Sequence, residues 1–89
     1  MRSPFYTRQF KKDLKLAQKR RKDINKLKEI LTSLVEGHKL AHKYKDHPLR
    51  GNFVDYRECH IEPDWLLIYK FSPSEIRFVR TGSHSDIFG

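Results

Sequence analysis

His47, His60, Asp64 and His84 are the side chains of this 89-residue sequence best suited to moving protons. The unperturbed imidazole pKa lies near neutrality, so a histidine can give or take a proton at working pH. Three histidines facing one groove beside a basic surface suit RNA cleavage without a metal. RNA brings its own nucleophile, the ribose 2′-OH, which attacks the adjacent phosphorus and leaves a 2′,3′-cyclic phosphate and a 5′-OH. The protein then needs a base at the 2′-OH, an acid at the 5′ oxygen and a cation for the charge developing on the phosphate. Arg80 is a candidate for that cation. His84 is favoured as the acid. His47, His60 and Asp64 all remain open as the base, and Asp64 can instead orient a histidine as the carboxylate of a triad does.

Each residue also has a plainer reading. His47 precedes Pro48 in a polar loop and fits a surface histidine. His60, between Cys59 and Ile61, fits a half-buried one. Asp64 can cap the turn after Pro63, and His84 can lie in a loose tail. Phe88 can plug the core and Arg80 can be a surface cation. His38 and His42 are four residues apart, but Gly37 ends the helix before them, so they receive no role. Three histidines and an aspartate can hold zinc, yet their spacing matches no familiar ligand pattern. No glycine-rich phosphate loop and no marked serine nucleophile are present. The expectation is an enzyme with no metal and no cofactor.

Charge is distributed unevenly. Residues 1–28 hold eleven Lys/Arg against Asp13 and Asp23, a net of +9, whereas the remaining 61 residues net −1. A basic block of this density attracts phosphate backbones through contacts that weaken with salt. Lys11, Lys12, Lys15, Lys19 and Arg20 are the candidates for such contacts with an RNA backbone. The same block also suits a solvated helical face. Eighty-nine residues suit a single domain, 1–89, with one thin core. No run approaches a membrane span, and no apolar stretch marks a signal peptide. The lone Cys59 excludes an internal disulfide. A cytoplasmic protein is expected.

The elements that must hold these residues follow from hydrophobic period. Pro4–Tyr6 suits a short strand, and Thr7 can cap the helix after it. Phe10, Leu14 and Ala17 form one helical stripe. Lys19–Lys22 interrupts it, Asp23 can start a second helix, and Ile24, Leu27, Ile30, Leu31, Leu34 and Val35 form its apolar face. Gly37 fits a left-handed helix end. Residues 38–52 read as a polar loop. Three strands then follow, at Phe53–Ile61, Trp65–Phe71 and Glu75–Thr81, joined by turns at Glu62–Asp64 and Ser72–Ser74. Short turns imply an antiparallel meander, with Trp65–Phe71 central and nearly all apolar. The predicted fold class is α+β: two N-terminal helices on a small twisted, mainly antiparallel sheet. Alternation places Tyr56, Glu58 and His60 on one face of their strand. It also places Ile76, Phe78 and Arg80 on one face of theirs. Spacing alone does not bring His60 to His84.

Several strings carry a resemblance. They are Tyr44-Lys45-Asp46-His47-Pro48-Leu49-Arg50-Gly51, the run from Tyr56 through His60 and Asp64 to Tyr69, and Arg80-Thr81-Gly82-Ser83-His84-Ser85. The ending Phe88-Gly89 and the Lys15–Arg20 run add to them. Together they resemble the YafQ-type toxins of the RelE/ParE superfamily over nearly the whole chain. That resemblance implies a bacterial type II toxin with a RelE-like microbial RNase fold, cutting mRNA in the ribosomal A site at A-rich, lysine-type codons. It implies a catalytic set of His47, His60, Asp64 and His84. Glu58 and Phe88 would support the mRNA, with Arg80 in a supporting place. Relatives commonly carry Asp where this chain has Glu58. The implied partners are a cognate antitoxin and the ribosome, with operator DNA reached only through the antitoxin complex and no membrane. A non-catalytic RNA- or DNA-binding module and a gyrase-poisoning relative are the alternatives. The His/Asp set argues for the nuclease branch.

Overall fold

The computed structural model describes residues 1–89. The chain runs β1 (Ser3–Tyr6), α1 (Arg8–Lys19), α2 (Ile24–Val35), β2 (His47–Pro48), β3 (Arg57–Glu62), β4 (Trp65–Phe71), β5 (Glu75–Gly82) and α3 (His84–Phe88). The strands form one five-stranded sheet in the order β1-β5-β4-β3-β2. β2, β3, β4 and β5 pair antiparallel, and β1 lies parallel to β5. The α+β class therefore holds, with two strands beyond the meander.

Both helix starts are capped as expected. The Thr7 hydroxyl accepts the Phe10 N–H and donates to Val79 O at 2.8 Å, tying α1 to β5. The Asp23 carboxylate accepts the Asn25 N–H. Gly37, at φ +82°, follows α2 in the left-handed conformation that glycine adopts without a Cβ clash. The helices cover one sheet face. Phe10 and Ala17 of α1 and Leu27, Ile30 and Leu34 of α2 pack on Cys59, Ile61, Trp65, Leu67, Tyr69, Ile76 and Phe78. Tyr6, Phe10 and Phe78 meet as an aromatic trio, with ring centres 5.4–6.1 Å apart. Phe10 and Phe78 are fully buried, and burying each of these two rings contributes roughly 1.5–3 kcal/mol.

Three local expectations are corrected. First, His47 lies in a two-residue strand paired with Glu58 and Arg57, not in a plain loop. Asp46, just before it, ties this strand to β3 and β4 by accepting from Arg57 and Tyr69. Second, β3 begins at Arg57, not Phe53; Gly51–Phe53 is a 3₁₀ turn. Third, Arg80 does not share a face with Ile76 and Phe78. Ile68 pairs with Arg80 and Tyr69 with Phe78, so Val79 bulges and the alternation flips. Thr81 then faces the helices, where its hydroxyl accepts the Trp65 Nε1–H at 3.0 Å. A bulge depends on pairing, so alternation along one strand does not reveal it.

Candidate active site

β2, β3 and the segment after β5 carry the histidines to the sheet face opposite the helices. Glu58 and His60 sit at alternate positions of β3 and share that face. The Glu58 side chain is 7% exposed, and its Oε2 lies 2.9 Å from His47 Nε2 and 3.4 Å from His60 Nε2. The buried carboxylate thus joins two imidazoles. Each ring's Nδ1 has a carbonyl within reach: Pro48 O at 3.1 Å for His47 and Pro63 O at 3.3 Å for His60. The His47 and His60 ring centres are 6.3 Å apart.

The second unit is His84 with Asp64. Asp64 Oδ1 lies 2.7 Å from His84 Nδ1 and also accepts the His84 backbone N–H at 3.0 Å. The backbone hydrogen bond, and then the imidazole, hold the Asp64 carboxyl below its ordinary pKa. With Nδ1–H donated to Asp64, His84 presents Nε2 outward. The His60 and His84 ring centres are 5.9 Å apart, so sheet topology brings together what spacing could not. Phe88 is 44% exposed and meets Phe53 edge to face at 5.5 Å. It is an open ring 6.4 Å from His84 rather than a core plug.

His84 stands in an ordered place. It is the first residue of α3, a short helix closed by a capping box: the Ser83 hydroxyl accepts the Asp86 N–H, and the Asp86 carboxylate accepts the Ser83 N–H. Asp86 also takes Arg20 Nη1 at 2.6 Å. The Arg20 hydrogen bond comes first, ahead of the Ser83 amide, in pulling the Asp86 carboxyl down to about 2. Arg20 therefore tethers the His84 segment to α1. A Cβ on Gly82 would sit 3.0 Å from Asp86 Cβ and Oδ2, so a larger residue here would press on the Asp86 side chain that closes the capping box.

Arg80 is likewise engaged. Its Nε and Nη2 reach the Asp13 carboxylate at 2.8 and 3.3 Å, and Nη2 also reaches Asp86 O at 3.3 Å. Nη1 takes part in none of these bonds. Asp13 is 7% exposed and also accepts the Thr81 N–H, which the short β1 does not reach. Lys11, Lys12, Lys15 and Lys19 stay exposed on α1.

Sequence reasoning missed three positioning carboxylates. Asp13 counted only as a charge, and no sequence signal marks its partner. Asp86 had a signal: Ser83 and Asp86 are spaced as a capping box. Asp46, just before His47, accepts the buried Tyr69 hydroxyl and Arg57 Nε, anchoring the start of β2 to the central strand. His47, Glu58 and His60 also offer ligand atoms within 4.8 Å of one another, a donor set that fits a divalent cation.

A family model described as "Bacterial toxin of type II toxin-antitoxin system, YafQ" matches residues 2–89. The mRNA interferase toxin YafQ of Escherichia coli K12 is 53% identical over 85 residues, covering 94% of this chain and 92% of that protein. The crystal structure of YafQ from E. coli BL21(DE3) superposes with a TM-score of 0.96 at 50% identity, covering both chains fully. A YafQ chain in a crystal structure of the E. coli DinJ-YafQ toxin-antitoxin complex has a TM-score of 0.93 at 52% identity, covering 99% of this chain and 98% of that one.

Proposed function

The chain belongs to the YafQ family of bacterial type II toxins, and from that premise we propose that it cuts mRNA in the ribosomal A site at A-rich, lysine-type codons. It is an mRNA interferase, an endoribonuclease of a toxin-antitoxin system. That activity sets aside both the non-catalytic binding module and the gyrase-poisoning alternative. A cognate antitoxin is its partner. In our reading, residues 1–89 act as one toxin domain in the cytoplasm. The ribosome presents the substrate, and operator DNA is reached only through the antitoxin complex. No helix is long and apolar enough to cross a membrane.

The observation that carries the mechanism is the convergence of two histidine–carboxylate units on one sheet face. In sheet order His60 lies between His47 and the segment bearing His84. A phosphate over His60 would meet His47 and His84 from opposite sides, as in-line attack requires. His47, with its Nε2–H donated to Glu58, takes the 2′-OH proton on Nδ1, where the substrate hydroxyl replaces the Pro48 carbonyl contact. Glu58 stabilises the imidazolium that forms. His84 gives a proton to the 5′ oxygen, with Asp64 fixing its tautomer. His60, and Arg80 through Nη1, balance the phosphate charge. Phe88 offers a ring on which a base stacks. The mechanism uses no metal and no cofactor.

The test is cleavage on ribosomes programmed with an A-rich codon in the A site, using EDTA-treated protein and mapping the RNA ends. Cyclic phosphate and 5′-OH ends, made by chelated protein, are the expected result. A 3′-OH with a 5′-phosphate, or activity lost to EDTA, would overturn the acid–base mechanism. Cutting of naked RNA alone would overturn the ribosomal one.

A further inference from the structure

The face that carries the histidines continues away from them into a row that the mechanism does not use. Lys70 of β4 pairs with Arg77 of β5, and Arg77 pairs with Phe5 of β1. Tyr56 precedes Arg57, the partner of Tyr69, so it extends the row on the other side of Lys70. The order across the sheet is Tyr56, Lys70, Arg77, Phe5: two cations between two rings. Lys70 Nζ lies 5.2 Å from the centre of the Tyr56 ring, and Arg77 Cζ lies 4.4 Å from that of Phe5. Phe5 is 42% exposed. Tyr56, Lys70 and Arg77 line a shallow cleft of about 370 Å³.

Like charges directly opposite one another destabilise a sheet. Arg77 has a single acidic neighbour, Glu75 at 3.3 Å, and Lys70 forms no ion pair. An anion between the two cations would remove that repulsion. The flanking rings would give flat apolar surface to whatever the anion is attached to. Phosphate joined to a planar base has this combination, and single-stranded nucleic acid is held in this way by cationic grooves with stacking rings. Across the strands the row spans roughly 14 Å. Along β3, Tyr56 stands roughly 13 Å from His60, within reach of one short RNA strand.

We propose that Tyr56, Lys70, Arg77 and Phe5 form a second RNA subsite, holding a phosphate between Lys70 and Arg77 and stacking a base on the flanking rings, so that the mRNA strand extends from the histidines across this face. The inference rests on the histidine face being the RNA-cutting site. A short oligoadenylate with 2′-O-methyl groups, which cannot be cut, tests both by NMR titration of the full chain at low salt. The expected result is perturbed amides at the row as well as at the histidines. Lys70→Gln with Arg77→Gln should weaken binding several-fold and reduce the slope of log affinity against log salt by about 1. Phe5→Leu should weaken binding with the slope kept. Response of the histidines alone, with unchanged affinity in the double variant, would overturn the subsite and leave the cleavage reading standing. Response confined to α1 would overturn both. A row that answers an acidic peptide but not the oligonucleotide would also overturn it, making this an antitoxin surface.

Discussion

His84 and Glu58 divide the labour of the site at the scale of single residues. His84 is 55% exposed, and its hydrogen bonds run to Asp64. His84→Ala should therefore fold normally, keep ribosome binding and lose about 10²–10⁴-fold in cutting rate. Single-turnover cleavage beside a binding assay would separate the two effects. Glu58 is buried and shared by two imidazoles. Glu58→Gln keeps the shape but removes the charge that stabilises an imidazolium. It should slow cleavage while leaving substrate affinity near that of the parent, a split read from the concentration dependence of the rate. Unchanged cleavage would return Glu58 to a purely structural part. A single oxygen of this carboxylate reaches both rings from one position of β3.

Among the elements, the short α3 depends most on contacts remote in sequence. Asp86 is held to about 2 by Arg20 and the Ser83 amide. Its folded pKa lies below the unfolded value of about 4, so its contribution is full above that value and lost as pH falls toward 2. Docking of α3 should accordingly persist through mildly acid pH and loosen only between about pH 4 and pH 2. Amide exchange at Ile87 and Phe88 would report this, and Asp86→Asn should loosen α3 at every pH. Asp13 is the matching anchor for β5. Asp13→Ala leaves the Thr81 N–H without its acceptor and the Arg80 guanidinium without its carboxylate, with only the Asp86 carbonyl remaining to it. Loss of a hydrogen bond to a charged group costs about 1.5–3 kcal/mol, and a denaturant titration should show a drop of that size. The caps at Thr7 and Asp23 were legible in the sequence because a cap is a local hydrogen bond. The Asp13 anchor was not, because its partners lie 67 and 68 residues away.

For the whole molecule, the sheet separates two charge environments: α1 with its exposed lysines on one side and the histidine face on the other. Neutralising Lys11, Lys12 and Lys15 together should weaken ribosome binding and flatten its salt dependence without moving the cleavage site. Unchanged salt dependence would return these lysines to a solvated face. Arg20 is set apart from them by its ion pair with Asp86. The sequence by itself determined the α+β class, both long helices and their caps, the buried central strand and the identity of the histidines and Asp64, since hydrophobic period and side-chain chemistry are local properties. It also placed Glu58 and His60 on one face, because alternation holds along β3 up to His60. Only the tertiary structure decided that His47 joins the sheet as a two-residue strand, that Val79 bulges and turns Arg80 to the other face, and that Ser83–Phe88 folds back as a helix to set His84 beside His60. Those outcomes depend on pairing register and on ion pairs between residues far apart in the chain, and register is fixed by how whole strands pack together.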